Sequence, residues 1–111
     1  CHCANCRKQS GAAYSVNLVV RASTLSVEGE LAAFSDTDTE SGAPVERQFC
    51  RACGSPIRSL PAATPKIAAV KAGTLDDAGA YAPQVHIWTR SKLPWVELPA
   101  EAVQFEQGPP A

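Results

Sequence analysis

The sequence predicts a mainly β domain built from short strands. Nine prolines and seven glycines interrupt the 111 residues, and no apolar period of 3.6 residues persists beyond two helical turns, so long helices are not expected. Several stretches instead alternate apolar and polar residues, which is the pattern of half-buried β-strands. These two observations together indicate an all-β arrangement of short elements.

The alternation defines the predicted strands in chain order. In residues 45–50, Val45, Arg47 and Phe49 lie on one side of the strand. Residues 36–44 are polar and poor in apolar side chains, so we expect an exposed loop there. The predicted strands are residues 14–20, 31–35, 45–50, 55–60, 67–72 and 84–90.

The composition limits the function classes that need to be considered. Hydrophobic residues make up 45% and charged residues 19% of the chain, as expected for one globular domain covering residues 1–111. The net charge is −1 and no basic stripe is present, which argues against a nucleic-acid partner. No apolar run is long enough to cross a bilayer, so we expect no membrane partner.

The chain begins with three closely spaced cysteines, Cys1, Cys3 and Cys6. We expect them to bind zinc, because zinc prefers sulfur and nitrogen ligands in tetrahedral sites. Three protein ligands would leave the fourth position open, which is the arrangement of a catalytic zinc. His2 lies between two of these ligands and is expected to point away from the metal.

A second knuckle, Cys50-x-x-Cys53-Gly54, is predicted at the tip of the hairpin formed by residues 45–50 and 55–60. Two cysteines supply only half of a closed zinc site. Two ligand counts remain open: three thiols at one site and two at another, or four thiols at one shared site with one left over. We favour the first count. The first count requires further ligands for the site of Cys50 and Cys53. We expect them in a missing segment upstream of Cys1, because the chain begins without an initiator methionine.

Other side chains could take part in the chemistry. Arg7 and Lys8 follow the first cysteine cluster and are expected to favour ionised thiolates, unless they are simply two exposed bases on a loop. His86 and Trp88 share one face of the predicted strand 84–90. They could line a pocket, or form an aromatic patch that packs on the sheet. We select His86 as the first candidate for proton transfer.

Four motifs, taken in order, carry a resemblance to a known family. They are CHCANCRKQSGA at the start, FCRACGSPI at the second knuckle, KAGTLDD, and HIWTRSKLPWV. Together they resemble the C-x-C-x-x-C-R-K-x-x-G-A, F-C-x-x-C-G-x-P, G-T-L-D-D and H-I-W-x-x-S-K-x-P-W motifs of the glutathione-dependent formaldehyde-activating enzyme family, also called the GFA or centromere-protein-V-type domain.

The resemblance implies an Mss4-like fold of small antiparallel sheets with two zinc sites. Carried over to this sequence, it makes Cys1, Cys3 and Cys6 the ligands of the functional zinc, and Cys50 and Cys53 half of a structural zinc site. This sequence departs from the family pattern because it lacks the first C-x-C and the strand around it.

The resemblance also implies an enzyme, a carbon–sulfur lyase that activates a thiol such as glutathione for addition to formaldehyde or a related small carbonyl. The alternative is a non-catalytic, zinc-stabilised binding module, because small domains often recruit metals to fold. A third hypothesis, a thiol–disulfide redox protein, requires a reversible Cys50–Cys53 bond and no metal. Reduced thiols indicate a cytoplasmic protein. The sequence does not determine the oligomeric state, and a homodimer remains one expectation.

Overall fold

Five strands form one antiparallel sheet in residues 1–109, the part of the chain that the computed structural model describes. Their order across the sheet is β1-β5-β4-β3-β2, so the mainly β prediction is confirmed. The elements are α1 (Ala4–Ser10), β1 (Asn17–Arg21), β2 (Leu31–Asp36), β3 (Val45–Cys50), β4 (Pro56–Pro61), β5 (Ile67–Lys71), β6 (Val85–His86) and β7 (Val103–Gln104), with short 3₁₀ turns at Ala22–Thr24, Ala72–Thr74, Ala78–Ala80 and Thr89–Ser91.

The register of the sheet places three polar side chains on one face. Arg47 of β3 lies opposite Ser59 of β4, and Ser59 lies opposite Ala69 of β5. Directly opposed residues point to the same face, and so do residues two apart along a strand. Lys71, two residues beyond Ala69, therefore shares this face with Arg47 and Ser59, and all three side chains are buried.

The interior of the domain is unusually polar for its size. Among the described residues, the buried apolar side chains are few and mostly small, whereas seven polar or charged residues are buried. The polar set is His2, Ser15, Asp36, Arg47, Ser59, Lys71 and His86. Such a thin apolar core limits what hydrophobic burial can contribute, and a bound metal is one way in which small domains gain stability.

Helix α1 was not predicted from the sequence. It begins after Cys3, whose sulfur accepts a hydrogen bond from the backbone N–H of Cys6 and so caps the helix. It ends at Gly11, which adopts a left-handed conformation with φ 63° and donates its N–H to the carbonyl of Arg7. The C-x-x-C spacing thus corresponds to the first turn of a helix.

The predicted loop at residues 36–44 needs a correction at its start. Asp36 is the last residue of β2 and is buried, because its carboxylate pairs with the guanidinium of Arg47 at 3.1 Å. Glu40 is also held in place, since its carboxylate accepts hydrogen bonds from the backbone of Ala4 and the hydroxyl of Ser91.

The strand predicted at residues 84–90 is shorter than expected. Only Val85–His86 forms β6, which pairs in parallel with β7, unlike the antiparallel pairing expected for the small sheets. Trp88 then adopts a left-handed conformation with φ 57°, so the alternation of faces stops after His86. Its indole lies beside Gly108 and beneath the guanidinium of Arg90, 4.9 Å from the ring centroid.

Helices long and apolar enough to span a bilayer are absent from the described part of the chain.

Candidate metal centre

The three N-terminal cysteines converge beside the face of the sheet that carries Arg47. The Sγ atoms of Cys1, Cys3 and Cys6 all lie within 4.8 Å of one another. Cys3 and Cys6 are buried and are brought together by the first turn of α1. Cys1 is fixed by two backbone hydrogen bonds with Ser15, one in each direction, at 2.7 and 3.0 Å. This places Cys1 beside the start of β1, in the manner of an antiparallel pair.

The donor set and its spacing suit zinc. Zinc–sulfur bonds measure about 2.3 Å, so two thiolates on one tetrahedral ion lie roughly 3.8 Å apart, a separation within the 4.8 Å that bounds the three Sγ–Sγ distances here. Within residues 1–109, no fourth histidine, cysteine or carboxylate joins this group. These side chains could therefore provide three of the four ligands of a tetrahedral ion.

Arg47 brings the positive charge of a side chain into contact with the cluster. Its Nη1 donates to Cys6 Sγ at 3.5 Å and to the hydroxyl of Ser59 at 3.4 Å, while its Nε donates to Asp36. A side-chain hydrogen bond between the Cys3 and Cys6 thiols, followed by the charge of Arg47, lowers the pKa of Cys6 to about 5 against the opposing effect of burial. The same hydrogen bond with Cys6 is the main cause that raises the pKa of Cys3.

Arg7 and Lys8 were expected to favour ionised thiolates, but the contact with a thiol comes from Arg47. Arg7 donates to the carbonyl of Ser91 at 2.9 Å, and Lys8 is exposed. Arg47 was missed as a site residue, although its placement on the same side as Val45 and Phe49 was an available signal. A charged residue at an inward position of an alternating strand requires a buried partner.

His2 and His86 form a buried pair behind Cys1. His2 Nε2 and His86 Nδ1 share a hydrogen bond at 3.0 Å, and His2 is fully buried. Burial lowers the pKa of His2 to about 4 and is also the main cause that lowers the pKa of His86. His2 is absent from the group of candidate ligands, in agreement with its expected orientation. Its role in holding His86 was not predicted.

A cleft of about 480 Å³ opens beside this pair. Cys1, Tyr14 and His86 contribute to its wall, together with residues 15–19 on one side and 80–85 on the other. Trp88 is not among the lining residues, because its left-handed conformation turns it toward Gly108. His86 therefore lines this cleft, as expected, and Trp88 does not.

Comparison with known families agrees with this site. The family model described as "Glutathione-dependent formaldehyde-activating enzyme" matches residues 1–91. The chain belongs to the glutathione-dependent formaldehyde-activating enzyme family. The match includes both cysteine clusters and His86. No curated protein matches the chain.

The second cysteine cluster of this family member has different surroundings. Cys50 ends β3, and Cys53 lies exposed in the turn before β4, where Gly54 adopts φ 78°. The Cys53 thiol donates to the hydroxyl of Ser55 at 3.2 Å. All five cysteines are free thiols. Neither Cys50 nor Cys53 joins the three N-terminal thiols, and their assignment as metal ligands stays a prediction.

Proposed function

We propose that this protein is a zinc-dependent carbon–sulfur lyase that joins a thiol such as glutathione to formaldehyde or a related small carbonyl. The observation that carries the proposal is the position of the thiols of Cys1, Cys3 and Cys6. They converge on one point, and Cys1 and His86 both line the adjoining cleft. Ligands for an ion and a group able to move a proton thus meet at one surface.

Cys1, Cys3 and Cys6 would hold the zinc. When bound, zinc acts as a Lewis acid that lowers the pKa of a substrate thiol at its open position and so makes the thiol nucleophilic at neutral pH. The chain itself contributes the cleft. Tyr14 and residues 15–19 on one side and residues 80–85 on the other provide walls that would orient the rest of the thiol compound next to Cys1.

His86 would move the proton. Its Nδ1 is hydrogen-bonded to His2 Nε2, so Nε2 is the ring nitrogen that would exchange a proton with a substrate. Burial favours the neutral imidazole, which is the form that accepts a proton. In the addition, the S–H proton passes to Nε2, a carbon–sulfur bond forms as the carbonyl π bond breaks, and the same proton then neutralises the carbonyl oxygen. The product is a hemithioacetal, and no other reactant is needed.

Cys50 and Cys53 would form half of a second, structural zinc site. Both are free thiols at one turn, the spacing used in zinc knuckles. The proposed chemistry requires reduced thiols, so we expect the protein to act in a reducing compartment such as the cytoplasm.

A non-catalytic binding module is the main alternative. A closed site with four protein ligands would favour it, and the three-membered donor group within residues 1–109 instead supports an open site. The redox hypothesis would require cycling of a Cys50–Cys53 disulfide.

The test is a rate measurement with the zinc-loaded protein. Glutathione and formaldehyde are mixed with and without protein, and proton NMR follows the loss of formaldehyde. We expect the protein to accelerate adduct formation beyond the spontaneous reaction, and Cys3→Ser to remove the acceleration. Identical rates with wild type, Cys3→Ser and no protein would show that the chain is not this enzyme.

A further inference from the structure

Lys71 is a buried cation that the proposed reaction does not use. The residue is 6% exposed, and its Nζ donates to the hydroxyl of Ser15 at 2.8 Å. In the described part of the chain, no carboxylate lies within ion-pair distance of Lys71, whereas Arg47 has Asp36. A buried ammonium without a counter-charge is costly, because burial removes its hydration. Negative charge from another source would offset this cost.

Two links connect Lys71 with the thiol cluster. Ser15, which accepts the hydrogen bond from Lys71, is also joined to Cys1 by two backbone hydrogen bonds. On the same face of the sheet, Arg47 contacts Cys6 directly. Burial is the main cause that lowers the pKa of Lys71, and the negative charges of Cys6 and Cys3 oppose that effect.

Counting only the three thiols and the buried charged side chains Asp36, Arg47 and Lys71, the formal charges balance. A divalent ion held by three thiolates carries a net charge of minus one. Arg47 and Asp36 neutralise each other. Lys71 remains, with one positive charge to match the one negative charge of the loaded centre.

We propose that Lys71 is the buried counter-charge of the metal centre formed by Cys1, Cys3 and Cys6, and that its charge, rather than its hydrogen bond to Ser15, strengthens metal binding. This inference rests on the zinc site of the proposed function. It makes Lys71 a positioning residue that acts through the thiolates, with no contact to substrate required.

Four variants separate charge from hydrogen bonding. Lys71→Arg keeps the charge, Lys71→Gln keeps an N–H donor without the charge, and Lys71→Met keeps neither. Ser15→Ala keeps the charge and removes the acceptor. Each is made in a full-length chain that also carries Cys50→Ser and Cys53→Ser, so that the remaining thiols are those of the centre. Zinc affinity is measured by competition with a chelating dye, and circular dichroism of the metal-free variants checks folding.

We expect Lys71→Arg and Ser15→Ala to bind zinc as tightly as the parent chain does. Lys71→Gln and Lys71→Met should bind zinc about 10- to 100-fold more weakly, which is the usual loss when a group that supports the metal ligands is replaced. If Lys71→Met does not fold, the zinc affinities of Lys71→Gln and Lys71→Arg are compared instead, and a weaker affinity in Lys71→Gln supports the inference. Unchanged affinity in both neutral variants would overturn the inference, and so would an equal loss in Ser15→Ala and Lys71→Gln.

The same assay separates this inference from the proposed function. A parent chain that binds no zinc would overturn both. Zinc affinity that follows the charge at position 71, in a protein that leaves the rate of glutathione addition unchanged, would support the role of Lys71 and reject the proposed reaction.

Discussion

The two cysteine clusters share the C-x-x-C spacing, yet one is embedded in the fold and the other lies at its surface. Cys3 and Cys6 are buried beneath a helix turn, and Arg47 donates to Cys6 from a strand behind them. Cys53 is exposed at a hairpin tip. The basic residue beside it, Arg51, pairs with Glu30, and their side chains are 72% and 80% exposed. Spacing alone therefore does not decide what a cluster does, because buried neighbours determine charge and orientation.

The largest expected difference between the clusters is in metal content and activity. Cys3→Ser removes one of three converging thiols, while the serine hydroxyl can still cap α1. We expect it to release the zinc of this centre and abolish addition of glutathione to formaldehyde. Elemental analysis and the NMR rate assay measure both effects. Cys53→Ser is the matched control and should leave the rate near that of wild type; unchanged zinc content in Cys3→Ser would contradict the assignment.

The arginines behind the two clusters should differ in their contribution to stability. Arg47→Met leaves the buried carboxylate of Asp36 without its partner, and breaking a buried ion pair costs about 3–5 kcal/mol. Arg51→Met breaks an exposed pair, which contributes about 0–1 kcal/mol. Urea denaturation of the metal-free proteins measures both free energies of unfolding. Equal losses would mean that the polar interior behind Cys6 contributes no more than a surface contact.

His86 tests whether the embedded cluster is catalytic or only structural. His86→Gln should slow the addition reaction by roughly 10²-fold or more, the usual contribution of proton transfer by a side chain. The zinc content should stay unchanged, because His86 is outside the ligand group. Trp88→Phe is the control, since Trp88 does not line the cleft. A wild-type rate in His86→Gln would remove this residue from the mechanism and leave catalysis to the metal centre and the cleft without it.

Much of the sheet could be predicted from the sequence, because its strands alternate locally. Strand β3 has the predicted bounds, Val45–Cys50, and the knuckle turn follows it as expected. Helix α1 was missed because its seven residues, Ala4–Ser10, are too few to show a helical period, and its cap is a cysteine rather than one of the usual capping residues. The end of β6 was missed because tertiary contacts hold Trp88: its N–H bonds to the carbonyl of Gln107, and its indole lies beside Gly108.

The surroundings of the thiols were harder to predict than the thiols themselves. The spacing of Cys3 and Cys6 brings them together through one helix turn, and Cys1, close in sequence, is held beside them by Ser15. Arg47 and Lys71 come from strands more than forty residues away in sequence, and their burial depends on the register of the whole sheet. Local patterns treat such side chains as exposed, because charged residues are seldom buried unless they are paired.

The smallest expected effect concerns the exposed cluster and its role in stability. Cys53→Ser should lower the Tm by roughly 4–8 °C, the shift produced by about 1 kcal/mol in a domain of similar size, because losing one knuckle ligand loosens the turn between β3 and β4. Ser55→Ala is the matched control, since it removes the hydroxyl that Cys53 contacts but keeps both thiols. Thermal melts with and without a chelator measure the shift.

If Cys50 and Cys53 bind zinc, the chelator should remove the Tm difference between wild type and Cys53→Ser. A Tm difference between wild type and Cys53→Ser that persists with the chelator would mean that Cys53 supports the turn without metal. The two clusters would then differ in that only the N-terminal one binds metal.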